Sequence, residues 1–445
     1  MSSTVFDSEL FRDMFGTAEM RSIFSDSGYL ARCLEVEAAL ARAQAGIGMI
    51  PAAAAREISA KANIACLDFA GMKRETEVVG YPILPLVKQL AEACSGDAGG
   101  YVHWGATTQD IMDTAVVLQL RAAFDLIETD LNEILASLAA LARRYRDTPM
   151  AGRTHLQHAL PITFGYKAAV WRAPLARQRE RLAQLRPRVL IGQFGGATGT
   201  LASLGADGLA VRAALMRELG LGEPDITWHV ARDTLAEAVL YTGLLTGALA
   251  KIASDMTMLM STEFGEVFEP FEHGRGASST MPQKRNPISS ELILACAKLV
   301  RQHCALMLDA MVQDFERATG PWHAEWIALP ESFIATAGSL RQAKLMLAGL
   351  SVDTGRMQRN LELTSGLIVT EAVMMGLAPK LGRQLAHDLV YDACRDVAES
   401  GRSLLEILAA NVQISAHLSR PELEHLLDPR NYLGSAAQMV DRSLR

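Results

Sequence analysis

Three short segments of this chain gather hydroxyl, amide and ionisable side chains beside small residues. The first is His103-Trp104-Gly105-Ala106-Thr107-Thr108-Gln109-Asp110 and the second is Gly152-Arg153-Thr154-His155-Leu156-Gln157-His158. The third is Gly274-Arg275-Gly276-Ala277-Ser278-Ser279-Thr280-Met281-Pro282-Gln283-Lys284-Arg285-Asn286-Pro287. Each stands just before a long helical pattern, so hydroxyls and backbone N–H groups collect at a helix N-terminus, where the macrodipole and unpaired donors favour an anion. A plainer reading stands beside each. Thr107, Thr108 and Asp110 are favoured N-caps. His155 and His158 could place two imidazoles on one helix face, but no HExxH pattern or paired carboxylate completes a metal site, and no metal is expected. The third segment lacks GxxxxGK[ST], because Lys284 is followed by Arg285 instead of a hydroxyl for Mg²⁺. GxSxG is also missing around Ser278, which removes the hydrolase-nucleophile reading.

The elements that must position these segments are helical. From Asp110 to about Arg146 runs a Leu- and Ala-rich pattern without Gly or Pro, and similar runs follow at 164–186, 230–263, 287–315 and 330–352. Five helices of roughly 20 to 35 residues predict an elongated bundle. They far exceed the globular mean of about 11–12 residues, and such lengths bury more easily when subunits share one bundle. The expected class is all-α, a long central bundle with smaller N- and C-terminal helical domains. The expected division is 1–110, 111–355 and 356–445, with breaks at Gly376, Gly382 and Gly401 in the last part.

Bulk properties narrow the function. Hydrophobic residues make up 49% of 445 and aromatics only 6%, so the core is built from Ala, Leu, Val, Ile and Met, a mix that suits packed helices. A net charge of −7 argues against nucleic acid as a partner, while leaving room for a small anion held by a few local donors. The six cysteines show no CxxC spacing, which reads as free thiols in a reducing compartment. No basic and apolar leader is visible, and the apolar run Ala238 to Ala250 is too short to span a bilayer. A cytoplasmic protein without a membrane partner is expected.

The third segment closely resembles the signature of the fumarase/aspartase superfamily, written GSSxMPxKxNP. Ala277 stands where its second small residue lies, and Ser278 to Pro287 match the rest. Gly152-Arg153-Thr154-His155-Leu156-Gln157 and Ala106-Thr107-Thr108-Gln109-Asp110 join it in the family's order. The resemblance implies a cofactor-free lyase, a homotetramer in which three different subunits contribute to each active site. It implies that Ser278, on a loop that closes over substrate, removes a proton from the carbon next to a carboxylate. His155 would protonate the leaving group or orient substrate, with Glu291 as its partner. Lys284, Asn286, Thr107, Thr108, Gln109 and Thr154 would hold a di- or tricarboxylate. The chemistry agrees: the aci-carboxylate formed by α-proton removal needs convergent donors.

The branches of that superfamily differ in leaving group. The Arg-Tyr pair of adenylosuccinate lyases is absent, since Arg12 is followed by Asp13. The stretches Met14–Asp26, Tyr81–Val87, Thr227–Asp233 and Glu316–Trp326 look like 3-carboxy-cis,cis-muconate cycloisomerases. On that likeness His229 and Arg232 are expected to contact substrate, with Trp228, Trp322 and His323 toward the leaving group. His155 departs from the pattern, because the cycloisomerases carry Trp there and fumarate-releasing members keep His. The sequence therefore favours elimination from a substituted succinate with release of fumarate. The alternative is the lactonising cycloisomerase of protocatechuate breakdown. A catalytically inactive structural relative, which would not need to keep Ser278, His155, Lys284, Asn286 and Glu291 together, comes third.

Overall fold

A computed structural model of the chain describes residues 4–270, 272, 274–317 and 320–445. The five long helices form as α1 (Thr108–Arg144), α2 (Phe164–Val189), α3 (Asp233–Leu259), α4 (Ile288–Ala310) and α5 (Pro321–Ala348). With 37 residues and no Gly or Pro, α1 extends about 55 Å at 1.5 Å per residue. Arg143 and Arg144 lie in its last turn, where cations complement the macrodipole. By length and composition α3 could cross a membrane, but 56% of its apolar window is buried inside the protein, as in a core helix.

One boundary differs clearly from the pattern in the sequence. The expected helix at 330–352 starts at Pro321 instead and runs through Pro330. Its first turns are held by packing: the Trp322 ring sits 5.7 Å from that of Tyr81 and 5.3 Å from that of Trp326. That burial outweighs the loss of one backbone donor at Pro330. Ala318 and Thr319, part of the Glu316–Trp326 stretch, lie outside the described residues.

The chain resolves into two compact units. The first comprises Met1–Asn132, Arg177–Ala250 and Leu292–Gln342, and the second Glu133–Ala176, Lys251–Glu291 and Ala343–Arg445. In the first, the helix Asp26–Gly46 buries Leu30, Leu34 and Leu40 in a core with Ile58, Leu86, Leu118, Phe194 and Leu215. In the second, Val373, Leu377, Leu389, Leu408 and Leu423 form one core, and Ala151, Leu361 and Val369 form a smaller one.

The second unit also holds two small antiparallel sheets. Strand β1 (Pro149–Thr154) pairs with β2 (Gln157–Thr163), and β3 (Val267–Phe268) pairs with β4 (Ser351–Val352). The architecture is all-α with these additions. The first sheet removes the possibility that His155 and His158 share a helix face. His158 pairs with Arg153 across the strands, while His155 sits in the turn. A register shift falls between Ala151 and Arg153, around Gly152. There a Cβ would come within 2.5 Å of the Leu160 carbonyl, so the close approach requires glycine.

Candidate active site

In the second unit, the loop bearing Ser278 is closed by its own backbone. Ala277 bridges to Arg285, and Asn286 N–H donates to Gly276 O at 3.0 Å. Gly276 has φ +66°, and a Cβ there would lie 2.6 Å from Asn286 O, so the closure requires glycine. Inside the loop the Ser278 Oγ accepts N–H groups from Thr280 at 3.3 Å and Met281 at 3.0 Å. Such a turn is common for serine, yet the same two donors would stabilise an alkoxide. Lys284 is exposed and Asn286 half-buried.

Below the loop, the buried Glu269 carboxylate accepts from Ser289 N at 3.0 Å, Ser290 N at 2.9 Å and Ser290 Oγ at 2.7 Å. Arg285 donates to the Glu269 carbonyl at 3.1 Å. This corrects the expectation that the helix start would receive a substrate anion, because an internal carboxylate already occupies the N-terminus of α4. Glu269 stands 20 residues before Ser289 and carries no local motif, so sequence patterning gave no signal for it.

His155 occupies the tip of the β1–β2 hairpin with φ +50°, followed by Leu156 with φ +62°. Thr154 and Gln157 pair on either side, so the two residues form a two-residue turn in the left-handed region, where Asn-Gly is usual. Two non-glycine residues there store strain of about 1–2 kcal/mol each. The hairpin is anchored at Arg153, which donates to both oxygens of the fully buried Glu266 at 3.0 and 2.7 Å and lies over the Phe264 ring. Asn360 adds a third donor to Glu266 at 2.7 Å. Thr154, His155 and Glu291 are all exposed, and no hydrogen bond joins His155 to Glu291 within the chain.

In the first unit, the start of α1 is organised by Asp110. Its carboxylate accepts from Thr107 N at 3.0 Å, Gly195 N at 2.8 Å, Gly196 N at 2.9 Å and His229 Nε2 at 2.8 Å. The Gln109 amide donates to His229 O at 2.8 Å. Thr107 and Thr108 remain half-buried, with the Thr107 hydroxyl accepting from Arg317. Among the described residues the Arg317 Nε is buried and meets no acceptor. The sequence reading gave it no role, because nothing local links it to Thr107, 210 residues away.

Three residues expected to contact substrate make internal bonds within the chain. Gln109 and His229 are spent on each other and on Asp110. Arg232 is clasped by Asp113 at 2.7 and 2.9 Å and by Glu325 at 2.9 and 2.6 Å, with its side chain 1% exposed. Burial alone would depress its pKa, but the two carboxylates keep it charged. Burial pushes the Glu325 carboxyl up, against the opposing pull of Arg232.

The chain matches the lyase family model over residues 15–301 and the adenylosuccinate lyase C-terminus model over 366–443. It is 50% identical to trans-aconitate decarboxylase 1 of Mycosarcoma maydis, over 97% of this chain and 88% of that protein. It is 48% identical to 3-carboxy-cis,cis-muconate cycloisomerase of Pseudomonas aeruginosa, over 99% and 97%. Among solved structures it resembles a fumarate lyase from Mesorhizobium sp. BNC1 with a TM-score of 0.92 and 53% identity, over 97% and 98%.

Proposed function

The chain belongs to the fumarase/aspartase superfamily of lyases, and on that premise we propose that it is a cycloisomerase acting on an unsaturated tricarboxylate of the 3-carboxy-cis,cis-muconate type. The observation that carries this reading is the end-to-end similarity to a cycloisomerase, joined by a relative named for trans-aconitate, also an unsaturated tricarboxylate. The preference drawn from His155 alone is thereby reversed.

In the lactonising direction a carboxylate oxygen of the substrate adds to its own double bond, and negative charge develops on the carbon α to another carboxylate. The Ser278 hydroxyl delivers a proton to that carbon. The alkoxide left behind is held by the N–H groups of Thr280 and Met281 until solvent returns its proton. In reverse, the same alkoxide removes the proton. Lys284, Asn286, Thr107, Thr108 and Thr154, with Arg317 added, supply donors for the substrate carboxylates. The leaving group is an internal carboxylate, so the reaction needs no strong acid. A homotetramer with shared active sites is the assembly we propose, checked by a four-chain mass in light scattering.

A second reading, elimination with release of fumarate, is favoured by the strained turn that presents His155. Incubation with 3-carboxy-cis,cis-muconate should bleach the diene absorbance and yield a lactone. Parallel arms use trans-aconitate, read by CO₂ release, and an S- or N-substituted succinate, read by fumarate absorbance. Fumarate formation with an inert diene would overturn the first reading in favour of the second. Inert substrates throughout, with intact tetramers, would favour a non-enzymatic relative.

A further inference from the structure

A cavity of about 480 Å³ lies within the first unit, between the helices Asp26–Gly46 and Phe69–Val79 and the first turns of α1 and α5. Five aromatic rings line it: Phe24, Tyr29, Phe69, Trp322 and Trp326. Four carboxylates, Asp26, Glu77, Asp113 and Glu325, face only two cations, Lys73 and Arg232, so the walls carry an excess of two negative charges. A tricarboxylate would be repelled there, which separates this cavity from the substrate proposed above.

We propose that the cavity binds a small organic cation, an ammonium group on an apolar body. Three observations converge on that chemistry. The volume falls in the range of small-molecule pockets, about 300–1,000 Å³, and the lining is mainly apolar. Indole and phenol faces attract a cation, most strongly where water is excluded. Arg232 is clasped by two carboxylates at once, so this part of the wall carries one more acidic group than basic.

Tyr29 adds specificity. Its hydroxyl is buried with no partner beyond the weak Cys33 thiol, and burial keeps it protonated. Its oxygen is therefore free to accept an ammonium N–H. A primary ammonium satisfies that oxygen, whereas a quaternary one cannot.

The test is calorimetric titration of the intact protein with phenethylammonium, 2-phenylethanol and 3-phenylpropionate, which share a ring and differ in charge. Phenethylammonium should bind about tenfold more tightly than either of the others. Trp326→Ala and Glu77→Gln, both at partly exposed positions, should each weaken it several-fold. Tyr29→Phe should weaken phenethylammonium while leaving benzyltrimethylammonium unchanged. Equal or tighter binding of the neutral or anionic probe overturns the proposal. So does wild-type affinity in the Trp326 and Glu77 variants, or absence of heat with every probe. Diene turnover is assayed separately, so failure here leaves the catalytic reading standing.

Discussion

His229 Nε2 donates to Asp110 Oδ1 at 2.8 Å, and neither side chain is more than 2% exposed. The same carboxylate gathers the N–H groups of Thr107, Gly195 and Gly196. One buried charge thus ties the start of α1 to a glycine loop some 85 residues on and to a segment 119 residues on.

Replacing Asp110 by Asn keeps the shape but removes the charge and turns one acceptor into a donor facing other donors. At least one buried N–H then loses its partner, at a cost of about 1–3 kcal/mol. Urea unfolding should show that loss. An unchanged midpoint would mean that Asp110 does not hold this junction.

Ser278→Ala should reduce turnover of the true substrate by 100-fold or more, the scale of general acid–base catalysis (about 10²–10⁴). The circular dichroism spectrum and assembly mass should stay as in the parent, since among the described residues Ser278 bonds only within its own loop. Residual activity near the parent value reassigns the base.

Arg153→Ala strands the buried Glu266 carboxylate beneath the hairpin that presents His155. Breaking a buried pair in this way costs about 3–5 kcal/mol. Denaturation in guanidinium measures it, and a loss below 1 kcal/mol, the scale of an exposed pair, would contradict the burial argument.

Leu156, which is 71% exposed, holds a left-handed backbone without burying its side chain. Leu156→Gly should stabilise the chain by about 1 kcal/mol, the strain relieved less the extra freedom of glycine in the unfolded state. A lower thermal midpoint would show that the turn is not strained.

Burial, with Arg153 nearby, holds His158 below its ordinary pKa of 6.5. The folded chain therefore binds this proton less readily than the unfolded chain. The stability it contributes is complete above pH 6.5 and is lost as pH falls through the depressed value. Burial shifts His303 the same way. His158→Gln should thus make the fall in stability below pH 6.5 shallower without abolishing it. An unaltered slope in urea titrations would assign the loss to other groups.

The five long helices were legible from the chain alone, because a 3.6-residue apolar pattern is local information. Their starts mostly agree within a few residues. The match of Ser278 to Pro287 to a reaction class was legible too, since it rests on contiguous residues. Tertiary structure decided what local pattern cannot carry. Gly152–His158 became a hairpin because β2 supplied its pairing partner, and α5 began at Pro321 because Trp322 found Tyr81 and Trp326. The same holds for Arg232, which looks available in sequence, and for Glu269, which carries no local signal; both find internal partners in the fold. Arg232 meets acids 119 and 93 residues away, and Glu269 meets a helix start 20 residues on. Residue type sets what a side chain can bond, but only folding brings up the partners that compete with substrate for it.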